Sequence, residues 1–114
     1  MIKSIQNDRI MITVASHGAE LTSLKTVRDD LEFLWQKDSR YWTGQAPVLF
    51  PIVGSLPDNR YQLAGATYEM GIHGFARDCE FEPAPSSPTE LVFKLRHNEA
   101  TLRQYPLEFE LLVK

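Results

Sequence analysis

The sequence predicts an all-β protein, an antiparallel β-sandwich, on three observations. Apolar residues recur at every second position in several separate runs, which is the period of a half-buried strand. The runs are short and are separated by Gly, Pro, Asp and Asn, the residues that punctuate strands. Helical periodicity is weak everywhere. Short strands with turn signals between them pack as sandwiches or barrels.

The elements follow in order. Ile10, Ile12 and Val14 alternate with Met11 and Thr13 as one strand. Gly18 breaks the run, and Leu21 to Val27 reads as a second. Asp29-Asp30 signals a turn before a third candidate, Leu31-Glu32-Phe33-Leu34-Trp35. Residues 58–70 read as a hairpin turning at Ala64-Gly65, because Gly65 takes positive φ at no steric cost. Cys79 to Glu82 is a short strand candidate, and Pro83 to Pro88 reads as a loop unable to sustain a ladder. Leu91, Phe93 and Leu95 form one late alternation; Leu107, Phe109, Leu111 and Val113 form another. Between them, Asn98 to Tyr105 has room for a turn or two of helix.

The 114 residues suit one domain at most, and their 43% hydrophobic content is that of an ordinary globular protein. The net charge of −3, mixed in sign along the chain, carries no basic stripe and argues against a nucleic-acid partner. Cys79 is the only cysteine, so no intramolecular disulfide forms, and it reads as a quiet, partly buried thiol in a reducing compartment. Residues 1–8 do not resemble a signal peptide, and no stretch reaches the roughly 18 apolar residues of a membrane helix. The expectation is a soluble cytoplasmic protein with no membrane partner.

Two segments stand out chemically. Tyr41-Trp42 precedes Ala46-Pro47-Val48-Leu49-Phe50-Pro51-Ile52-Val53-Gly54, an apolar run bracketed by prolines that exclude it from the middle of a sheet. Such a run suits either a binding-site wall, where sugar C–H faces meet aromatic rings, or ordinary core. In Gly71-Ile72-His73-Gly74-Phe75-Ala76-Arg77, the glycines around His73 permit close approach of a ligand to the backbone. His73 reads as a hydroxyl-binding or proton-transferring group, or as a hydrogen-bonded core histidine. Arg77 reads as a donor fork for hydroxyls, carboxylates or phosphates, or as the ion-pair partner of Asp78 or Glu80. His17 and His97 are expected as exposed loop residues. No grouping has metal-ligand spacing.

These segments, in this order, resemble the aldose 1-epimerase (galactose mutarotase) superfamily, in particular its LacX-type branch. The resemblance rests on residues 18–24, Phe33-Leu34-Trp35, Tyr41-Trp42, the run from Ala46 to Gly54, Tyr61 with Gly65 and Tyr68, His73 to Arg77, and Tyr105-Pro106. It implies a large antiparallel sandwich, of which residues 1–114 are the N-terminal portion of a single domain. It also implies that a hexose is the partner. The reaction interconverts its anomers: a carboxylate base deprotonates the anomeric hydroxyl, and a histidine acid protonates the ring oxygen. No metal or organic cofactor is implied. His73 looks like the family's first histidine, the catalytic candidate in this chain. Arg77, Phe50 and Trp42 are the substrate-binding candidates.

Two departures matter. Ser55 stands where the family often has an arginine, and the principal acid and base of family members come from later segments. Glu108 and Glu110 are expected on a solvated strand face. The chain is therefore expected to be truncated and incomplete for catalysis, its sheet completed by the remainder of a longer chain or by a second copy. A non-catalytic carbohydrate-binding module or a structural β-domain would use the same residues without the acid–base pair.

Overall fold

The computed structural model describes residues 1–114. Eight strands form three antiparallel sheets, with one short helix. Strands β1 (Ile2–Gln6), β2 (Ile10–Ala15) and β3 (Glu20–Thr26) make a meander in that order. Strands β4 (Arg60–Leu63) and β5 (Ala66–Glu69) make a hairpin. Strands β6 (Glu82–Pro83), β7 (Phe93–Arg96) and β8 (Glu110–Val113) make the third sheet, with helix α1 (Glu99–Gln104) between β7 and β8. The antiparallel β architecture expected from the alternation is present.

The hairpin turns where Gly65 allows it. Ala64 and Gly65 both have positive φ, 49° and 79°, the left-handed pair that a tight two-residue hairpin turn demands. In the first sheet, β2 and β3 slip register between Thr13 and Val14, which face Ser23 and Leu21 and leave Thr22 as a bulge. A bulge frees main-chain groups from the ladder. The Thr22 carbonyl accepts from the side-chain amides of Gln45 (3.0 Å) and Gln36 (3.1 Å), which anchors the aromatic segment to this sheet.

Residues 31–35 do not form the expected strand. Pairing with β3 begins, with Thr26 donating to the Leu31 carbonyl and Phe33 to that of Leu24. It then stops because the Glu32 carboxylate takes the Leu24 N–H (3.0 Å) that the next rung needs. Cys79 to Phe81 likewise lie outside the sheet, and Pro83 is inside it, paired with Phe93. Proline is tolerated there because β6 is an edge strand. Strand β1 is an element that the apolar alternation did not single out.

The buried cluster consists of Val14, Ala19, Met70, Phe75, Ala76, Phe81, Phe93 and Leu95. It joins β2 and β7 to the loop that follows β5. Only 13 of 114 residues are buried, and the molecule is a slab of 56 × 37 × 17 Å, so much of each sheet faces solvent.

Helix α1 is held by a reciprocal cap. The Asn98 side chain accepts from the Thr101 N–H (3.0 Å), and the Thr101 hydroxyl accepts from the Asn98 N–H (2.8 Å). Asn98→Ala removes one side of that box. It is expected to lower stability by about 1 kcal/mol, read as a shift in the urea midpoint at unchanged slope.

Candidate functional site

The two segments singled out in the sequence meet. Phe50 bridges Gly74 in parallel, and the Phe50 carbonyl accepts from both Phe75 N–H (3.0 Å) and Ala76 N–H (3.2 Å). Four residues on, the His73 N–H donates to the Gly54 carbonyl (2.9 Å), and the Gly54 N–H donates to Nδ1 of the His73 ring (2.8 Å). The proline-bracketed run and the glycine-flanked histidine are thus laced together through main-chain groups.

This geometry fixes the histidine. His73 sits at φ 63° and Gly74 at φ 71°, so the chain makes a left-handed bend that points the ring at Gly54. Because Nδ1 accepts a hydrogen bond, the proton of the neutral ring lies on Nε2. The half-buried side chain therefore offers an N–H donor on its remaining edge. The close approach expected at the flanking glycines is made at Gly74 by the protein itself. A Cβ there would run into the Phe50 carbonyl, whereas one at Gly71 would meet nothing within 4 Å.

Arg77 is half-buried, and its guanidinium donates to the Ile72 carbonyl (3.3 Å), closing the 72–77 loop on itself. It pairs with neither Asp78 nor Glu80. Glu80 instead lies 3.7 Å from His17 and accepts from the hydroxyl of buried Ser16. Gly18 fits beneath this loop, where a Cβ would lie 2.7 Å from the Arg77 carbonyl.

The Phe50 ring packs in an aromatic group with Phe75, Tyr105 and Phe109, at centroid distances of 6.1, 6.2 and 5.1 Å. Below it, Pro51, Ile52, Leu56, Tyr61, Met70 and Tyr105 line an apolar cavity of 180 Å³. Tyr61 donates to the Gln104 carbonyl (2.5 Å), and burial pushes its phenol up from the ordinary range. Cys79, half-buried as expected, donates to the Phe75 carbonyl (3.3 Å), and burial raises its thiol.

Trp42 belongs to a second group, formed by residues 35–45. It lies half-exposed over Gly44, where a Cβ would collide with its ring. Trp35 donates to the Gly44 carbonyl (3.1 Å) and meets Tyr41 edge-on at 6.3 Å. Arg40 lies over the Tyr41 ring and pairs with Asp38 (2.7 Å), whose carboxyl is held below its ordinary value by that side-chain bond. Two residues not singled out in the sequence hold this group in place. Buried Gln45 donates to the Thr22 and Trp35 carbonyls, and Glu20 accepts from the Ala46 N–H (2.8 Å). A lone amide inside an aromatic and apolar stretch was the visible signal for Gln45.

His17 is exposed, as expected; His97 lies in a loop, as expected, but is not exposed. It is half-buried, and its Nδ1 lies 3.2 Å from both the N and the O of Phe109, so it stitches the β7 end to the β8 approach. Glu110 pairs across the sheet with Lys94 and Arg96 on an exposed face. No three His, Cys, Asp or Glu side chains converge where a metal ion would sit, and no helix is long and apolar enough to cross a membrane.

A mostly antiparallel β-protein in which a proline-bracketed run positions a glycine-flanked histidine defines the class, and comparison names it. The chain belongs to the aldose 1-epimerase family, whose profile matches residues 1–114. It is 36% identical over 118 residues to the chromosomal protein LacX of Lactococcus lactis, covering 99% of this chain and 39% of that one. Among solved structures, it superposes on a galactose mutarotase related enzyme from Lactobacillus acidophilus with a TM-score of 0.94. That match has 42% identity and covers 98% of this chain and 37% of the other. A galactose mutarotase-like protein from Lactobacillus casei gives 0.93 at 36% identity, covering 98% and 38%. The chain thus spans about two fifths of the length of the relatives it matches.

Proposed function

We propose that these residues form one wall of a hexose pocket in a sugar anomerase, within the N-terminal portion of a single sandwich domain. Family membership supports a carbohydrate-related role. The observation that carries the residue assignment is the Gly54–His73 lock, because a ring whose Nδ1 is occupied by a main-chain N–H presents Nε2–H in one direction. That donor suits the ring oxygen or a hydroxyl of a pyranose near the reacting carbon. Arg77 closes the loop beside it and offers further donors to hydroxyls. Phe50 supports the loop from below, and Trp42 supplies a ring face for sugar C–H groups. The acid–base partner and the remaining strands come from outside these residues. The protein works in the cytoplasm without a cofactor.

The test is NMR titration of the His73 ring with galactose and glucose, beside polarimetry of α-galactose. Millimolar hexose is expected to shift the His73 ring resonances and the Gly54 and Gly74 amide signals beside them, and His73→Asn to abolish the amide shifts. Asparagine tolerates the left-handed backbone and retains an acceptor for Gly54, so the fold persists. In a chain extended to the full length of the relatives, the same change is expected to slow anomerisation at least about a hundredfold. No ring shift with either sugar removes His73 from the pocket; a shift without any rate enhancement in the extended chain favours a binding module over an enzyme.

A further inference from the structure

Trp42 is attached to the molecule in a different way from His73. Residues 34–49 make no main-chain hydrogen bond to the rest of the chain. The two that they form, from the Tyr41 and Trp42 N–H groups to the Asp38 carbonyl, stay inside the segment. Side chains do the fastening instead. The Glu20 carboxylate accepts from the Ala46 N–H (2.8 Å), and two glutamines reach the bulge carbonyl of Thr22.

Gln45 is the specific one of the pair. Its side-chain amide has two hydrogens, and both are committed, one to the Thr22 carbonyl (3.0 Å) and one to the Trp35 carbonyl (2.7 Å). Trp35 returns a bond, its indole N–H donating to the Gly44 carbonyl (3.1 Å). The base of the 35–45 loop is thus clasped in both directions, and Gln45 joins the clasp to the sheet. Gln36 is exposed, and its amide nitrogen is shared among several acceptors, so water can take its place. Gln45 is only 8% exposed, and the carbonyls it serves would be left without a donor.

The clasp fixes Gly44, and Gly44 seats Trp42. A Cβ on residue 44 would collide with three atoms of the indole ring, so the ring rests where a side chain would otherwise be. The φ of Gly44 lies outside the left-handed region, so alanine fits the backbone, and the first thing its methyl meets is the ring.

We propose that Gln45 and Gly44 are positioning residues for the sugar, an inference that rests on the placing of Trp42 in the hexose pocket. Gln45 holds the base of the loop and Gly44 seats the ring, so both set hexose affinity without touching the sugar. Neither acts on His73, whose loop is laced to Phe50 and Gly54 and shares no hydrogen bond with residues 34–49. Affinity and the chemical step are therefore supported by separate frameworks.

Polarimetry of α-galactose in the chain extended to the full length of its relatives tests this. The galactose Kd from NMR titration is read beside KM, so that the comparison does not depend on turnover. Trp42→Ala is expected to raise KM and Kd about tenfold, by removing the ring face that meets the sugar. Gly44→Ala pushes the ring off its seat and should match that rise, with kcat held within about twofold. Gln45→Met keeps the length of the side chain and removes both donors; a rise of about fivefold in KM is expected, again with kcat held. Combining Gln45→Met with Trp42→Ala should raise KM no further than Trp42→Ala alone, because a residue that acts through the ring has nothing left to act on. Should Gln45→Met fail to fold, Gly44→Ala with and without Trp42→Ala makes the same comparison. Wild-type KM in Gly44→Ala and Gln45→Met beside a raised KM in Trp42→Ala overturns the positioning role and leaves the pocket reading standing, as do losses that add in the double variants. Wild-type KM and Kd in Trp42→Ala, or no galactose binding by any form, remove Trp42 from the pocket and this inference with it.

Discussion

Gly74→Ala is expected to prevent stable folding, with a loss on the order of 3–5 kcal/mol. Two independent costs add at this position. Its φ of 71° lies in the left-handed region, where a Cβ is unfavourable. That Cβ would also point into the Phe50 carbonyl and the ring of Pro51, and the carbonyl cannot retreat without releasing Phe75 and Ala76, the two N–H donors it accepts from. Both donors belong to buried residues, so releasing them exposes nothing to water and strands them in the core. Gly65→Ala makes the control. It shares a positive φ of 79° but has open space around it, so about 1 kcal/mol is expected. Urea denaturation of both variants separates strain from collision. Equal losses would show that the Phe50 contact contributes nothing.

Phe81→Ala is expected to cost about 3–5 kcal/mol by the same measurement. Phe81 is 1% exposed and lies in the core cluster with Phe93 and Leu95. Its N–H donates to the carbonyl of Ser16 (2.9 Å), so it is fixed to the end of β2 as well as packed. A slab with 13 buried residues has few neighbours able to close over the space left behind. Phe81→Leu keeps most of the volume and should lose less than about 2 kcal/mol. A loss below about 1 kcal/mol for the alanine variant would mean that the core collapses freely around the site.

Much of the fold was legible because it is written locally. Strands β2 and β3 follow from alternation, and the β4–β5 hairpin follows from Gly65. What was not legible depends on partners distant in sequence or on side chains that intercept the backbone. Strand β1 is half polar, and its pairing with β2 rather than its own pattern makes it a strand. Residues 31–35 carry a strand pattern, yet one carboxylate, Glu32, takes the N–H that would have continued the ladder. His97 looked like an exposed histidine because the Phe109 main chain that holds it lies twelve residues away.

The candidate site divides the same way. Its two segments were visible as unusual stretches, by composition alone. That Gly54 and His73 bond each other in both directions required the fold, as did the separation of Trp42 into its own group around Gly44 and Trp35. The glycines beside His73 were marked as places where a ligand could come close to the backbone, and Gly71 stands in open space. At Gly74 the approaching group is the Phe50 peptide, a role that only the three-dimensional arrangement reveals.

The lacing of residues 50–54 to 73–76 runs mainly through peptide groups: the Phe50 carbonyl, the Gly54 carbonyl and N–H, and the N–H groups of His73, Phe75 and Ala76. Peptide groups are common to every residue, so this framework imposes little on the identity of Val53, Ser55 or Ile72, the exposed neighbours around it. The path of the loops and the choice of what they touch are therefore separately inherited. Selection can exchange the outward side chains without altering the backbone that carries them.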